Sequence, residues 1–217
     1  MKSELTIETL LREAKEFAIV ESNIEEPSLY GVTDGKAVGT YLEHKFTKYL
    51  EEKYTLQRGN SASGIDLPGL EVDLKVTSIR QPQSSCPFKS AHQKIFGLGY
   101  NLLVFVYEKT DENEKRTGRL NIQHAIFVDR ARTADYQTTR GIIEILKNQG
   151  NADDLVAFIM DRNLPVDDIE ANNIATKLLT NPPEQGYLTI SNALQWRLQY
   201  SRIIQVAGEI DGIKRVK

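Results

Sequence analysis

Cysteine is almost absent. Cys86 stands alone, so the chain can form no intrachain disulfide and no cysteine-rich zinc site. Histidine is nearly as scarce, and His44, His92 and His124 are scattered without the spacing of metal ligands. No segment approaches the length of a membrane-spanning helix, and no early stretch has a signal peptide's long apolar run. The expectation is a protein of the reducing cytoplasm with no membrane partner. Internal repeats and low-complexity tracts are also missing. Charge of one sign does not dominate either: the formal net charge is −3. Composition therefore gives no global sign of a polyanionic partner, although a local basic cleft would suffice to bind one. What remains is an ordinary globular composition, with 40% hydrophobic and 26% charged residues in 217. That length suits one sizeable domain with a small appendage.

The most informative stretch runs from Gly64 to Thr77. Pro68-Gly69 signals a tight turn between two short strands, because proline presets φ and glycine accepts the left-handed region. Beyond the turn, Val72, Leu74 and Val76 alternate with Asp73, Lys75 and Thr77, so the aliphatic and polar side chains take opposite faces of a strand. A hairpin of this kind brings Asp66 back towards Asp73. Two carboxylates beside a lysine suit a hard divalent cation next to a phosphate. The same pattern also describes a solvated strand face. The apolar run from Leu102 to Tyr107 favours the first reading, because it predicts a buried neighbour and hence a central position for the acidic strand.

Upstream, Lys36 to Lys53 reads as a helix with Val38, Leu42, Phe46, Tyr49 and Leu50 as its apolar stripe. Gly39 lies inside it at a cost of about 1 kcal/mol relative to alanine, which invites the close approach of another backbone. Glu43 follows four residues later on the same helix face. By spacing alone it is equally an ordinary surface carboxylate.

Asp66 followed by Asp73-Leu74-Lys75 resembles the PD-(D/E)XK nuclease superfamily, which includes most type II restriction endonucleases. The proline that usually precedes the first aspartate is replaced by Ile65, and aspartate stands at position 73 where glutamate is commoner. The short gap is similar to that of the mismatch-repair nicking enzyme MutH and its restriction-enzyme relatives. Asp34 to Glu43 resembles the glycine-bearing helix that precedes the catalytic hairpin in those enzymes and carries an active-site glutamate. The two motifs cover roughly Lys36 to Lys75.

The rest of the chain is read from its periodicity. Ser3 to Val20 is expected to be an amphipathic helix, with Ser3 or Thr6 as its cap. Thr55 to Arg58 is a short strand candidate, and Arg58 to Gly64 a polar loop that either approaches a phosphate backbone or merely connects. Ser78 to Pro87 is irregular, and Phe88 to Phe96 helical. Asn101 to Glu108 and Leu120 to Val128 read as strands around a charged loop, Lys109 to Thr117. Tyr136 to Asn148, Ala152 to Arg162 and Val166 to Leu179 read as helices. A short strand, Gly186 to Ile190, precedes a last helix from Ser191 to Tyr200, with Leu194 and Trp196 inward and Arg197 and Arg202 in solvent. The fold class is therefore α/β: a restriction-endonuclease-like core over residues 1–134, with a central mixed sheet flanked by helices. Residues 135–217 form a mainly helical region, either packed on the core or serving as a DNA-reading appendage.

The resemblance implies a Mg²⁺-dependent, sequence-specific endonuclease acting on double-stranded DNA, most simply a type II restriction enzyme. Alternatives are a repair nicking endonuclease and a non-catalytic DNA-binding protein on the same fold. In the nuclease reading Asp66 and Asp73 hold Mg²⁺, Glu43 shares that cation or a second one, and Lys75 lies beside the attacking water and the phosphate. Arg80, Gln93 and Lys94 are candidates for substrate binding. A cognate DNA methyltransferase encoded nearby would be the functional partner, and a homodimer is compatible with this reading.

Overall fold

A computed structural model of the chain describes residues 2–56, 64–190 and 197–217. In order, the elements are β1 (Ser3–Glu4), α1 (Ile7–Glu21), α2 (Gly35–Lys53), β2 (Tyr54–Thr55), β3 (Val72–Ser78), β4 (Gln83–Ser85), α3 (Ala91–Phe96), β5 (Asn101–Glu112) and β6 (Thr117–Val128). They continue with α4 (Tyr136–Lys147), α5 (Ala152–Asp161), α6 (Asp168–Thr180), β7 (Thr189–Ile190), β8 (Arg197–Gln199), α7 (Ser201–Val206) and β9 (Ile213–Arg215). Contacts divide the chain into two compact units: residues 1–84, 101–128 and 204–217 in the first, and 85–100 and 129–203 in the second. Residues 85–100 and 129–134, read from sequence as part of the core, thus fall in the second unit, and 204–217 return to the first.

The first unit is a mixed four-stranded sheet in the order β3-β5-β6-β9. β3 runs parallel to β5, and β5–β6 and β6–β9 are antiparallel. The order corrects the expectation of a central acidic strand, because β3 is the outer strand. α1 and α2 cover the sheet through one apolar cluster that includes Phe17, Leu42, Phe46, Leu50, Leu74, Leu103 and Phe105. Thr6 closes a capping box on α1, and Asp34 caps α2 by accepting from the backbone N–H groups of Lys36 at 3.1 Å and Ala37 at 3.2 Å. Between the two helices the buried Glu13 carboxylate accepts from Tyr49 at 2.8 Å, Tyr54 at 2.7 Å and Lys53 at 2.5 Å. These bonds fix α2 in rotation as well as position.

The charged stretch from Lys109 to Thr117 is mostly strand, not loop. β5 and β6 extend until only residues 113–116 connect them. Lys109 is neutralised by Asp111, and Gly118 crosses the backbone of Leu29 so closely that a Cβ would stand 2.8 Å from Leu29 Cβ. The polar tip is thereby held on the short 3₁₀ turn Pro27–Leu29, which the local sequence of the hairpin does not disclose.

The second unit has its own apolar core, made by α3 to α6 with Ile95, Ile142, Leu155, Ile159, Ala175 and Leu178 at its centre. β7 pairs antiparallel with β8. The helix expected from Ser191 to Tyr200 is corrected over its described part, since Arg197–Gln199 is a strand. Leu194 and Trp196, like residues 58–63 of the expected phosphate-approaching loop and residues 57 and 58 of the strand candidate before it, lie outside the described residues.

Candidate active site

Asp66, Asp73 and Lys75 are brought together at the outer edge of β3, in the first unit. The mechanism is a local turn rather than a two-stranded hairpin. Leu67 and Val72 exchange backbone hydrogen bonds of 2.9 and 3.2 Å, and Pro68–Leu70 forms a 3₁₀ turn between them. The left-handed residue that closes this turn is Glu71, with φ 52°, not Gly69. Asp66 lies just outside the bridge, and its Oδ2 accepts the backbone N–H of Leu74 at 2.8 Å. An edge N–H that would otherwise need another strand is thus satisfied by a carboxylate.

Asp73 is 3% exposed although it sits on the polar face of β3. Lys75 Nζ stands 2.6 Å from Asp73 Oδ2 and donates to the carbonyl of Leu74 at 3.1 Å. Burial pushes the Asp73 carboxyl up; Lys75 pulls it down, but Asp66, through hydrogen bonding and its own charge, adds to the rise, leaving it at about 7. Asp66 itself is exposed, so of the two carboxyls only Asp73 is withdrawn from water.

Glu43 reaches the same electrostatic neighbourhood from α2. Burial raises its pKa first, the Asp66 carboxylate raises it further, and Lys75 and His44 oppose the rise. It does not complete a ready cage, for among the described residues no three His, Cys, Asp or Glu side chains are arranged to hold one metal ion. Nor does Gly39 mark a forced approach. A Cβ there would stand 3.9 Å from both Cβ and the carbonyl oxygen of Val76, an ordinary contact.

The donor chemistry of the pair suits a hard cation. Asp66 and Asp73 offer oxygen only, and a divalent ion would favour the ionised form of Asp73 that burial opposes; Mg²⁺ commonly takes one or two protein carboxylates and keeps waters for its other positions.

The remaining candidates are placed differently. Arg80 is exposed just beyond β3, where its backbone N–H bonds Ser78 Oγ at 3.3 Å. Gln93 and Lys94 belong to the second unit. Gln93 Oε1 accepts the Lys89 backbone N–H at 2.7 Å. Lys94 is 2% exposed, and burial lowers its pKa against the opposing charge of Asp135. It is an interior lysine. What sequence reasoning missed is the backbone of β3: the N–H and carbonyl of Leu74 anchor Asp66 and Lys75 respectively. No residue-type signal could have revealed that, because main-chain groups carry none.

The family model described as type II restriction enzyme NspV matches residues 4–215. The type II restriction enzyme NspV of Nostoc sp. (strain ATCC 29411 / PCC 7524) is 68% identical over 212 residues, covering 98% of this chain and 96% of that protein. No solved structure matches. A likeness of that extent leaves no part of the carboxylate–lysine site outside it, and the chain belongs to the NspV family of type II restriction enzymes, as a type II restriction endonuclease.

Proposed function

We propose that the chain cleaves double-stranded DNA at a specific sequence in a Mg²⁺-dependent reaction, using Asp66, Asp73, Lys75 and Glu43. We further propose that its first unit is a restriction-endonuclease-like core of the PD-(D/E)XK type, nearest in motif pattern to the MutH-related enzymes. The observation that carries this reading is the meeting of the Asp66 and Asp73 carboxyls, with Lys75 on Asp73, at one strand edge.

Asp66 and Asp73 would hold the cation, each already fixed in place by β3 or by Lys75. When bound, it would neutralise the scissile phosphate and lower the pKa of a water. Lys75, oriented by the Leu74 carbonyl, would either stabilise the anionic oxygen that develops or help deprotonate the water. Glu43, whose carboxyl is held above the usual carboxylate range by burial and Asp66, would share that cation or a second one, directly or through water. No covalent intermediate with the protein is required.

Relatedness to a restriction enzyme over nearly the whole chain favours this reading over repair nicking or non-catalytic binding. A cognate methyltransferase gene beside this one, a homodimer able to cut both strands, and cytoplasmic residence complete the proposal. The test is incubation with plasmids of varied sequence in Mg²⁺ or in chelator, with the cut ends mapped. Fixed ends that appear only with Mg²⁺ are expected. Random ends, or cutting undiminished in chelator, would sink it.

A further inference from the structure

Within the second unit the protein orients a cation that it does not neutralise. Arg202 lies with Cζ 3.6 Å from the centroid of the Tyr136 ring. At that separation the planar guanidinium can only lie over the ring face. The ring itself is well anchored. Tyr136 opens α4, its backbone N–H donates to the carbonyl of Leu188 at 2.8 Å, and its ring packs on that of Tyr187 with centroids 5.8 Å apart.

Other arginines have protein partners. Arg132 faces Glu184 at 3.1 Å, Arg12 bonds Tyr54 at 3.0 Å, Arg162 donates to Gln137 at 3.4 Å, and Arg215 donates to the carbonyls of Ala207 and Ile204 at 3.2 and 3.3 Å. Arg202 has neither carboxylate nor carbonyl. Its Nε is buried without a hydrogen-bond partner, whereas its terminal nitrogens, neither buried nor bonded among the described residues, face solvent. Holding a guanidinium in this way costs stability and gains no internal hydrogen bond. The free end is a two-pronged donor with its charge intact.

We propose that Arg202, stacked on Tyr136, is a binding residue for the phosphate backbone of the DNA substrate. The substrate of a restriction endonuclease is a polyanion, and a forked guanidinium matches two phosphate oxygens. The stacking decides between backbone and base. A guanidinium laid flat on the protein's own tyrosine does not project into a groove, so it meets what runs along the surface, the sugar–phosphate chain. This rests on the DNA-cleaving activity of the family and not on the identity of the metal.

The test is binding in EDTA at low salt, using a duplex that carries a mapped cut site and an uncut duplex of equal length. A denaturing gel reports any cleavage, so a failure of the metal reading is seen separately. Arg202→Ala is expected to weaken binding to both duplexes by roughly tenfold. It should also make the slope of log K against log salt shallower by about 0.9. Arg202→Lys should keep the slope but recover only part of the affinity, because an ammonium neither forks nor stacks in the same way. Thermal melting of both variants controls for folding, and Arg202→Gln, which keeps the long stem, replaces the alanine variant if that one unfolds. Unchanged affinity and slope would overturn the proposal. So would a loss confined to the cut duplex with the slope unchanged, which would make Arg202 a reader of bases.

Discussion

Asp66 Oδ2 and the backbone N–H of Leu74 are joined by a 2.8 Å hydrogen bond, at the strand position midway between Asp73 and Lys75. One carboxylate therefore has two tasks: it closes the free edge of β3 and it faces Asp73. The two tasks separate by mutation. Asp66→Asn can still accept from Leu74 but carries no charge, so it should melt near the wild-type temperature and lose about 10²–10³ in cleavage rate. Asp66→Ala should lose the activity and also about 1–3 kcal/mol of stability. Melting curves and single-turnover cleavage of the same preparations check both. Equal melting of the alanine variant would remove the structural task.

The raised carboxyl of Asp73 has a signature in pH. Between its ordinary value near 4 and its folded value of about 7, the native state binds more protons than the unfolded chain. Stability in chelator should therefore fall as pH rises through that window, by a few kcal/mol at most. Asp73→Asn should flatten this fall, so it stabilises the protein at pH 8 and gains nothing at pH 4. Mg²⁺ at pH 8 should raise the melting temperature of the wild type but not of the variant. A wild-type stability curve flat from pH 4 to 8 would show that Asp73 ionises without strain.

Cleavage should rank the site residues. Lys75→Ala and Asp73→Asn are expected to abolish detectable cutting, and Glu43→Gln to fall between them and the wild type if Glu43 touches the metal only partly or through water. Initial rates on one plasmid at saturating Mg²⁺ give the order. Wild-type rates for Asp73→Asn would remove the carboxylate pair from the chemistry.

Two glycines should answer oppositely to alanine. At Gly39 there is room for a methyl, so Gly39→Ala should stabilise α2 by up to about 1 kcal/mol and leave cleavage unchanged. At Gly118 the added Cβ would stand within 2.9 Å of the Leu29 backbone, and a cost of roughly 1–3 kcal/mol is expected. Denaturant midpoints measure both. A destabilised Gly39→Ala would mean that the α2–β3 contact is tighter than 3.9 Å.

Much of this was legible in the chain itself. Alternation through Val72 to Val76 marks β3, and the apolar spacing from Val38 to Leu50 marks α2, because burial imposes its period directly on residue type. The grouping of Asp66, Asp73 and Lys75 followed from a turn only a few residues long. The position of β3 at the sheet edge was not legible, since β5, its partner, hides from local sequence what lies on the far side. The charged tip of β5 and β6 looked like a loop because its strands are stabilised by contacts with Leu29 and Glu26, distant in sequence. The burial of Lys94 was not legible either, because nothing in its helix tells of Asp135 nearby.

The strand order also bears on how the enzyme is made. β9 closes the far side of the β3-β5-β6-β9 sheet, yet residues 213–215 are synthesised after every element of the second unit. A ribosome carrying this chain holds the carboxylate site on a sheet still lacking its last strand. The four-stranded sheet can be completed only after that segment has left the exit tunnel, so its assembly waits on residues made after the whole second unit.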